Sequence, residues 1–354
     1  MIKKLGLDKY SALYLWAFFM ITFTIVRPDT FLTVSSFKIV ITENIIFGVL
    51  ALAFLVPLTT ATYDLAIGSN MSMALVIVNY IAKFTKISPV LGMFIALGAC
   101  AISGFISGFF VVKLKVNSFI ATLGMSQVIT AFILHTSEQT ISGALSNDYK
   151  RIGNGQLWGL PYFSYYLLIL AIVLWYVLEH TPLGRHMFAV GGNPEAARLA
   201  GVKTDRLVWG SLVASGVIAG FAGLIYSWKV GTYGPSIGPG YLFSAIAAVF
   251  FGASQLKGRP NVWGTMIALF ALAWGIKGLQ LTFTTNTNWI QKLFEGASLL
   301  AAVSLASRHL VVKRRKIKPS GPAPAAATAA GSAATAATVA TAAADAAPAP
   351  EPTG

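Results

Sequence analysis

Charge is what this sequence is short of. Asp, Glu, Lys and Arg make up 11% of its 354 residues, against 56% that are hydrophobic, where a soluble domain carries about 25% charged residues. A chain so poor in polar material cannot cover a water-facing surface, which excludes an ordinary soluble enzyme or binding module. Cysteine is missing except for Cys100, so neither an internal disulfide framework nor a cysteine-rich metal site can form. The four histidines (His135, His180, His186 and His309) show no metal-ligand spacing, and no His/Asp/Glu constellation suggests catalysis. A G-x-x-x-x-G-K-[ST] loop is also lacking. The nearest run, Gly201-Val202-Lys203-Thr204, has no glycine directly before its lysine, so the chain cannot cradle a nucleotide by that device. The first apolar run has no small-residue cleavage site and is followed by many similar runs, so it is expected to stay as a span rather than leave as a signal peptide.

What the chain has instead is long apolar runs. A bilayer core about 30 Å thick takes about 20 predominantly apolar helical residues. Ten segments qualify, centred on 13–26, 39–57, 65–82, 89–112, 118–134, 162–178, 207–226, 241–255, 262–283 and 290–306. Gly, Pro and polar residues interrupt or flank the third and the eighth. The reading is an all-α integral membrane protein, a polytopic bundle of about ten transmembrane helices.

The net charge of +14 invites a nucleic-acid reading, but the basic residues fall in short clusters between apolar runs, which is the layout of membrane loops. With a cytoplasmic N-terminus, 17 of the 26 Lys and Arg residues lie in inside segments, from Lys3, Lys4 and Lys9 to the run Lys313–318. That is the bias the positive-inside rule requires, and an even number of spans returns the C-terminus to the cytoplasm. The expected organisation is a transmembrane domain over 1–310, a basic cytoplasmic segment over 311–318 suited to anionic lipid, and an Ala/Pro-rich tail over 319–354. The tail has too little apolar surface to repay ordering and is expected to be disordered. The spacings Gly104-x-x-x-Gly108 and Gly216-x-x-x-Gly220 permit close helix contact, within one chain or between two.

The most informative stretch is the polar loop 180–206, HTPLGRHMFAVGGNPEAARLAGVKTDR. Asn193 is a strong N-cap, Pro194 suits the first helical position and Glu195 complements the positive end of the helix dipole. Ala196, Ala197, Leu199 and Ala200 favour helix, and Gly201 supplies a left-handed stop. The loop thus encodes a short helix, capped at both ends and too short to stand alone in water. Such a helix either lies at the interface between two spans or docks into a groove on a partner.

This loop resembles the EAA-type coupling loop of ABC permeases, in the form used by the ribose and simple-sugar branch. Thr181, Pro182, Gly184, Arg185, Ala189, Gly191, Gly192, Asn193, Ala196, Ala197, Arg198 and Gly201 stand in register with it. Tyr63-Asp64-Leu65-Ala66-Ile67-Gly68-Ser69 is similar to the family's I-D-L-S-V-G-S element. Lys113-Leu114-Lys115-Val116 with Phe119-Ile120-Ala121-Thr122-Leu123-Gly124 resembles a further stretch, with Asn117 and Ser118 in place of its usual proline-containing pair. Ala222-Gly223-Leu224-Ile225-Tyr226 and the block from Gly240-Tyr241 through Ala245-Ile246-Ala247-Ala248-Val249 match two more blocks, while the glycine-rich turn at 252–259 matches weakly. The likeness covers roughly residues 10–310.

The resemblance implies a division of labour. The chain would form the translocation path for a monosaccharide, and Gly191, Gly192, Asn193, Pro194, Glu195, Ala196, Ala197, Arg198 and Gly201 would couple it to a separate ATP-binding subunit carrying ATP and Mg. No cofactor would sit in this chain. A solute-binding protein would deliver the sugar, and a second copy or a paralogue would complete the pore. A branched-chain amino acid permease is the alternative within the same wider family. A secondary transporter would need an ionisable residue deep in a span, for which Asp64 is the candidate.

Asp64, Asn70, Asn79, Gln127 and Thr130 are the candidate path residues, because polar groups at membrane depth are costly and mark pathways. Asp64 reads equally as a helix cap, and the others, with Asn44, as interhelical hydrogen-bonding groups. Glu43 and Glu295 lie near span ends, where snorkelling to water accounts for them. Trp158, Trp263, Trp289 and Tyr162 read as interfacial aromatics.

Overall fold

Apolar helices dominate because the sequence offers few alternatives: long Leu/Ile/Val/Phe/Ala runs broken by short polar turns. The computed structural model describes residues 11–142, 145–234, 237–253, 259–283, 289–294, 296, 297 and 300. The expected span 290–306 falls only partly among these, and the basic segment 311–318 and the tail 319–354 lie outside them, as does Glu295.

The helices run α1 Ser11–Val26, α2 Val34–Leu58, α3 Ile67–Phe84, α4 Pro89–Val112 and α5 Ser118–Thr136. They continue with α6 Asn147–Asn154, α7 Tyr162–His180, α8 Pro182–Gly192, α9 Pro194–Leu199, α10 Thr204–Val230, α11 Pro239–Ala253 and α12 Val262–Thr282. Seven of the described helices are long and apolar enough to cross a membrane, namely α2, α3, α4, α5, α7, α10 and α12; α1 and α11 are apolar but shorter. Local signals set many of the boundaries. Thr33, Ser88, Asn117 and Asn261 cap α2, α4, α5 and α12 through side-chain oxygens, and Gly231, at φ 70°, ends α10 in the left-handed region.

Two elements depart from an all-helical reading. β1 Ile141–Ser142 pairs antiparallel with β4 Thr232–Tyr233, and β2 Gln156–Leu157 pairs with β3 Leu160–Pro161. Each ladder is two residues long. The second closes on Trp158 and Gly159, both at positive φ, the backbone that a two-residue hairpin requires. Trp158 projects from its tip, 89% exposed.

Burial follows lipid logic rather than water logic. Of the most apolar stretch of α3, 72% is buried inside the fold, against 22% for α5 and for α7. Ser69, Asn70, Ser72 and Asn79 of α3 are therefore enclosed by protein, while α5 and α7 turn large apolar side chains such as Ile120, Val128, Ile169 and Val173 outward. The core is built around α10, which packs on α2, α3 and α4. The paired glycine spacings explain how closely. A Cβ on Gly104 would come within 2.5 Å of the Leu212 carbonyl oxygen, and one on Gly216 within 2.5 Å of that of Cys100. The two glycine repeats thus serve an α4–α10 contact within one chain.

The connections alternate between the two ends of the bundle. One end gathers the turns 59–66 and 113–117, the α8–α9 segment and the turn before α12. Tyr63 N–H donates to Ser118 Oγ at 3.1 Å, Leu65 N–H to Thr122 Oγ1 at 3.0 Å, and Arg259 Nη2 to Glu179 Oε2 at 2.8 Å. The other end gathers α6 and the short ladders, tied to the end of α10 by Asn154 Nδ2 donating to the Trp228 carbonyl at 2.5 Å.

Candidate functional site

The segment 181–201 forms two helices with a sharp break between them. Thr181 caps α8, accepting from Gly184 N–H at 3.4 Å, with Pro182 in its first turn. Asn193 ends α8 and starts α9: its Oδ1 accepts from Glu195 N–H at 3.1 Å and Ala196 N–H at 3.0 Å. At the far end, Gly201 N–H donates to the Arg198 carbonyl and Val202 N–H to the Ala197 carbonyl, both at 3.0 Å, with Gly201 at φ 83°. That pair of bonds is a Schellman cap. The short helix expected from sequence is present as α9, six residues long, and α8 is an additional helix leading into it.

This element is bedded on the fold by one face. Gly184, Met187 and Val190 of α8 are buried. Gly191 touches the α2–α3 turn so closely that a Cβ there would run into the Thr59 carbonyl oxygen. Arg259 clamps α8 from the side, its guanidinium 4.0 Å from the Phe188 ring while it bonds Glu179. Gly192, Asn193, Pro194, Glu195, Ala196 and Arg198 are exposed, and Glu195 pairs loosely with Arg198 at 3.8 Å. Ala197 is turned inward, 6% exposed, whereas Leu199, outside the residues singled out from the motif, is 82% exposed. A small cleft of about 390 Å³ beside α9 is lined by His186, Lys203 and Arg206 among others, giving this end a cationic rim.

Beneath Gly191, the turn 59–66 is knitted by hydroxyls. Thr59, Thr60 and Thr62 donate to the carbonyls of Val56 and Pro57 that close α2, and Thr60 meets Ser211 of α10 at 3.3 Å. Asp64 lies in this turn, 2% exposed, with Oδ1 accepting from Ala66 N–H at 2.9 Å. Burial pushes its carboxyl from 3.8 up to about 6, and the neighbouring Ser215 hydroxyl and the Ala66 N–H pull it partly back. Asp64 is thus a turn-closing residue that faces Ser215 of α10.

The other candidate path residues are dispersed. Asn70 is buried, with Ser103 Oγ donating to its side-chain oxygen and Cys100 Sγ to its backbone carbonyl, a link between α3 and α4. Asn79 is fully buried and donates to the Leu75 carbonyl at 2.8 Å. Thr130 donates to the Ser126 carbonyl at 2.7 Å, and Gln127 is exposed on α5. No single described cavity gathers these five. A cleft of about 480 Å³ lies instead toward the end bearing the short ladders, and Glu43, Asn44, Tyr241, Lys277 and Gln280 are among its lining residues.

A family model described as "Branched-chain amino acid transport system / permease component" matches residues 36–303. The chain belongs to this permease family. Among its relatives are a fructose import permease protein from Rhizobium meliloti, 29% identical over 81% of this chain and 81% of the relative. A ribose import permease protein from Haemophilus influenzae is 28% identical over 82% and 90%, and a galactose/methyl galactoside import permease protein from the same species is 26% identical over 88% and 98%. No solved structure matches the chain. With seven described helices able to cross a bilayer, this permease is a multi-pass membrane protein.

Within the permease, sequence reasoning missed Leu199 and the cleft. Leu199 reads as one more helix-favouring residue until the direction of α9 is known. Lys277 and Gln280 lie in an otherwise apolar span, and a helix pattern alone does not say that they meet Asn44 of α2.

Proposed function

We propose that this permease is the transmembrane subunit of an ABC importer in the bacterial cytoplasmic membrane, carrying a monosaccharide and coupled through residues 191–201 to a separate ATP-binding subunit. The observation that carries this reading is the α8–α9 element. It is capped at each terminus, locked to the α2–α3 turn through Gly191, and presents an exposed Leu199 beside a cationic rim. Closure of an ATPase dimer would press on this short lever, and the Gly191–Thr59 contact would pass the displacement into α2 and α3. ATP and Mg belong to the partner. The sugar assignment is supported by the relatives, whose names specify fructose, ribose and galactose. The family description favours a branched-chain amino acid as the second reading.

In this reading ten spans cross the membrane: α1, α2, α3, α4, α5, α7, α10, α11, α12 and the segment 290–306. Both termini and the α8–α9 element lie in the cytoplasm. A solute-binding protein docks at the opposite end, and a second copy or a paralogue faces the path, with Gln127 on the open side of α5 among the residues it would meet.

Ala197→Glu is a poor probe of the docking role. With Ala197 facing its own chain, that change would bury a charge and disturb the loop itself. Leu199→Asp is the cleaner probe. In proteoliposomes holding permease, ATPase and binding protein, it is expected to leave insertion unchanged and lower solute-stimulated ATP hydrolysis at least tenfold. Stimulation equal to wild type would remove the docking role.

A further inference from the structure

We infer that the cleft between α2, α11 and α12 is a hydroxyl-recognition site that receives the sugar on its way in from the outer side. The inference rests on the proposed function for its substrate class and for which end faces outward; the residues are assigned by the structure. Three helices contribute, and Gln291 and Lys292 of the segment 289–294 line the cleft beside them. Asn44 comes from α2, Tyr241 from the first turn of α11, and Lys277 and Gln280 from the last two turns of α12. All are near the end of the bundle that carries the short ladders, opposite the α8–α9 element. Beyond the cleft, toward the bundle interior, a second cavity of only about 30 Å³ shares Asn44 and Phe47 and is otherwise lined largely by apolar groups such as Leu269 and Leu272. A roomy cleft with polar groups on its walls therefore adjoins a far smaller, largely apolar cavity.

Lipid does not explain this arrangement. Ionisable groups within spans are costly and face water-filled cavities or partners. Glu43, at the rim, is matched by Lys229 at 2.9 Å, which also donates to the Thr42 carbonyl at 3.2 Å, so its charge is largely met by the protein. What the cleft then offers is amide and ammonium donors, amide acceptors and a phenol, spread around a volume of about 480 Å³, within the range of small-molecule sites. The Phe47 and Tyr241 rings, 4.5 Å apart and inclined at 40°, add aromatic surface to one wall, against which the C–H face of a pyranose or furanose can pack. A polyol needs donors and acceptors on several sides and one apolar face. A branched-chain amino acid needs a paired cation and anion for its zwitterion and an apolar pocket beside them, and here the carboxylate is already engaged.

The test uses the whole transporter in cells: permease, ATPase and binding protein. Uptake of labelled ribose, fructose, galactose, arabinose and leucine is first measured for the wild type. Asn44→Ala and Lys277→Ala are then expected to cut uptake of the transported sugar at least tenfold, with membrane abundance and co-purification of the ATPase unchanged. Gln280→Cys is expected to react with a membrane-impermeant methanethiosulfonate from outside, to lose uptake on reaction, and to be protected by excess transported sugar. The native thiol, Cys100, is buried and gives the background. Full uptake in both alanine variants, or reaction at Gln280→Cys that leaves uptake intact, overturns the inference while the proposed function stands. Wild-type uptake of leucine and of no sugar overturns the proposed function as well.

Discussion

Asp64 closes the α2–α3 turn at the cost of holding a carboxylate in packed surroundings. Its folded pKa of about 6 against 3.8 means that the native state binds more protons than the unfolded state between roughly pH 4 and pH 6. Stability from this group therefore falls as pH rises through that window, and the whole penalty, on the order of 3 kcal/mol, remains above it. Asp64→Asn keeps an acceptor for the Ala66 N–H and removes the charge. The variant is expected to melt a few degrees above wild type in detergent at pH 7.5, with the gap closing toward pH 5. A gap constant over that range would show that burial does not raise the Asp64 carboxyl. The same residue shows what sequence conveys at this scale. The sequence reads Asp64 as a helix cap or a path residue, whereas Ala66 holds the N-cap position of α3 without a side-chain bond and Asp64 closes the turn before it; that this turn lies beneath Gly191 depends on contacts far away in the chain.

Caps and stops made the elements readable. Asn193 and Gly201 bracket α9 because an N-cap and a left-handed C′ residue act within a few positions, and Ser88, Asn117 and Asn261 start α4, α5 and α12 by the same local chemistry. Which face an element buries was less legible. Ala197 points inward and Leu199 outward because Met187 and Val190 of α8 fix how the pair is seated. The Arg259 clamp likewise joins the turn before α12 to α7 and α8. Arg259→Lys would keep a charge near Glu179 but lose the planar group that stacks on Phe188. It is expected to weaken transport severalfold with insertion intact, and Arg259→Ala to weaken it further. Equal transport by all three proteins, measured as initial uptake rate, would show that α8 holds its seat without the clamp.

At the scale of the whole molecule, function depends on which end meets which solution. Successive connections fall at opposite ends of the bundle, so one labelled position at each end fixes the orientation of every described span. Nine of the Lys and Arg residues belong to the outer end on the proposed orientation and seventeen to the inner, an imbalance the positive-inside rule reads in only one direction. Trp158 and Leu199 are suitable reporters because both are among the most exposed side chains, at 89% and 82%, on short structures whose backbones do not depend on the side chain removed. With Cys100 buried, Trp158→Cys is expected to react with an impermeant maleimide in intact cells, and Leu199→Cys only after the membrane is opened or inverted. The reverse pattern would place the capped α8–α9 lever outside, where no nucleotide motor could press on it, and would turn the cleft of α2, α11 and α12 from an entrance into an exit.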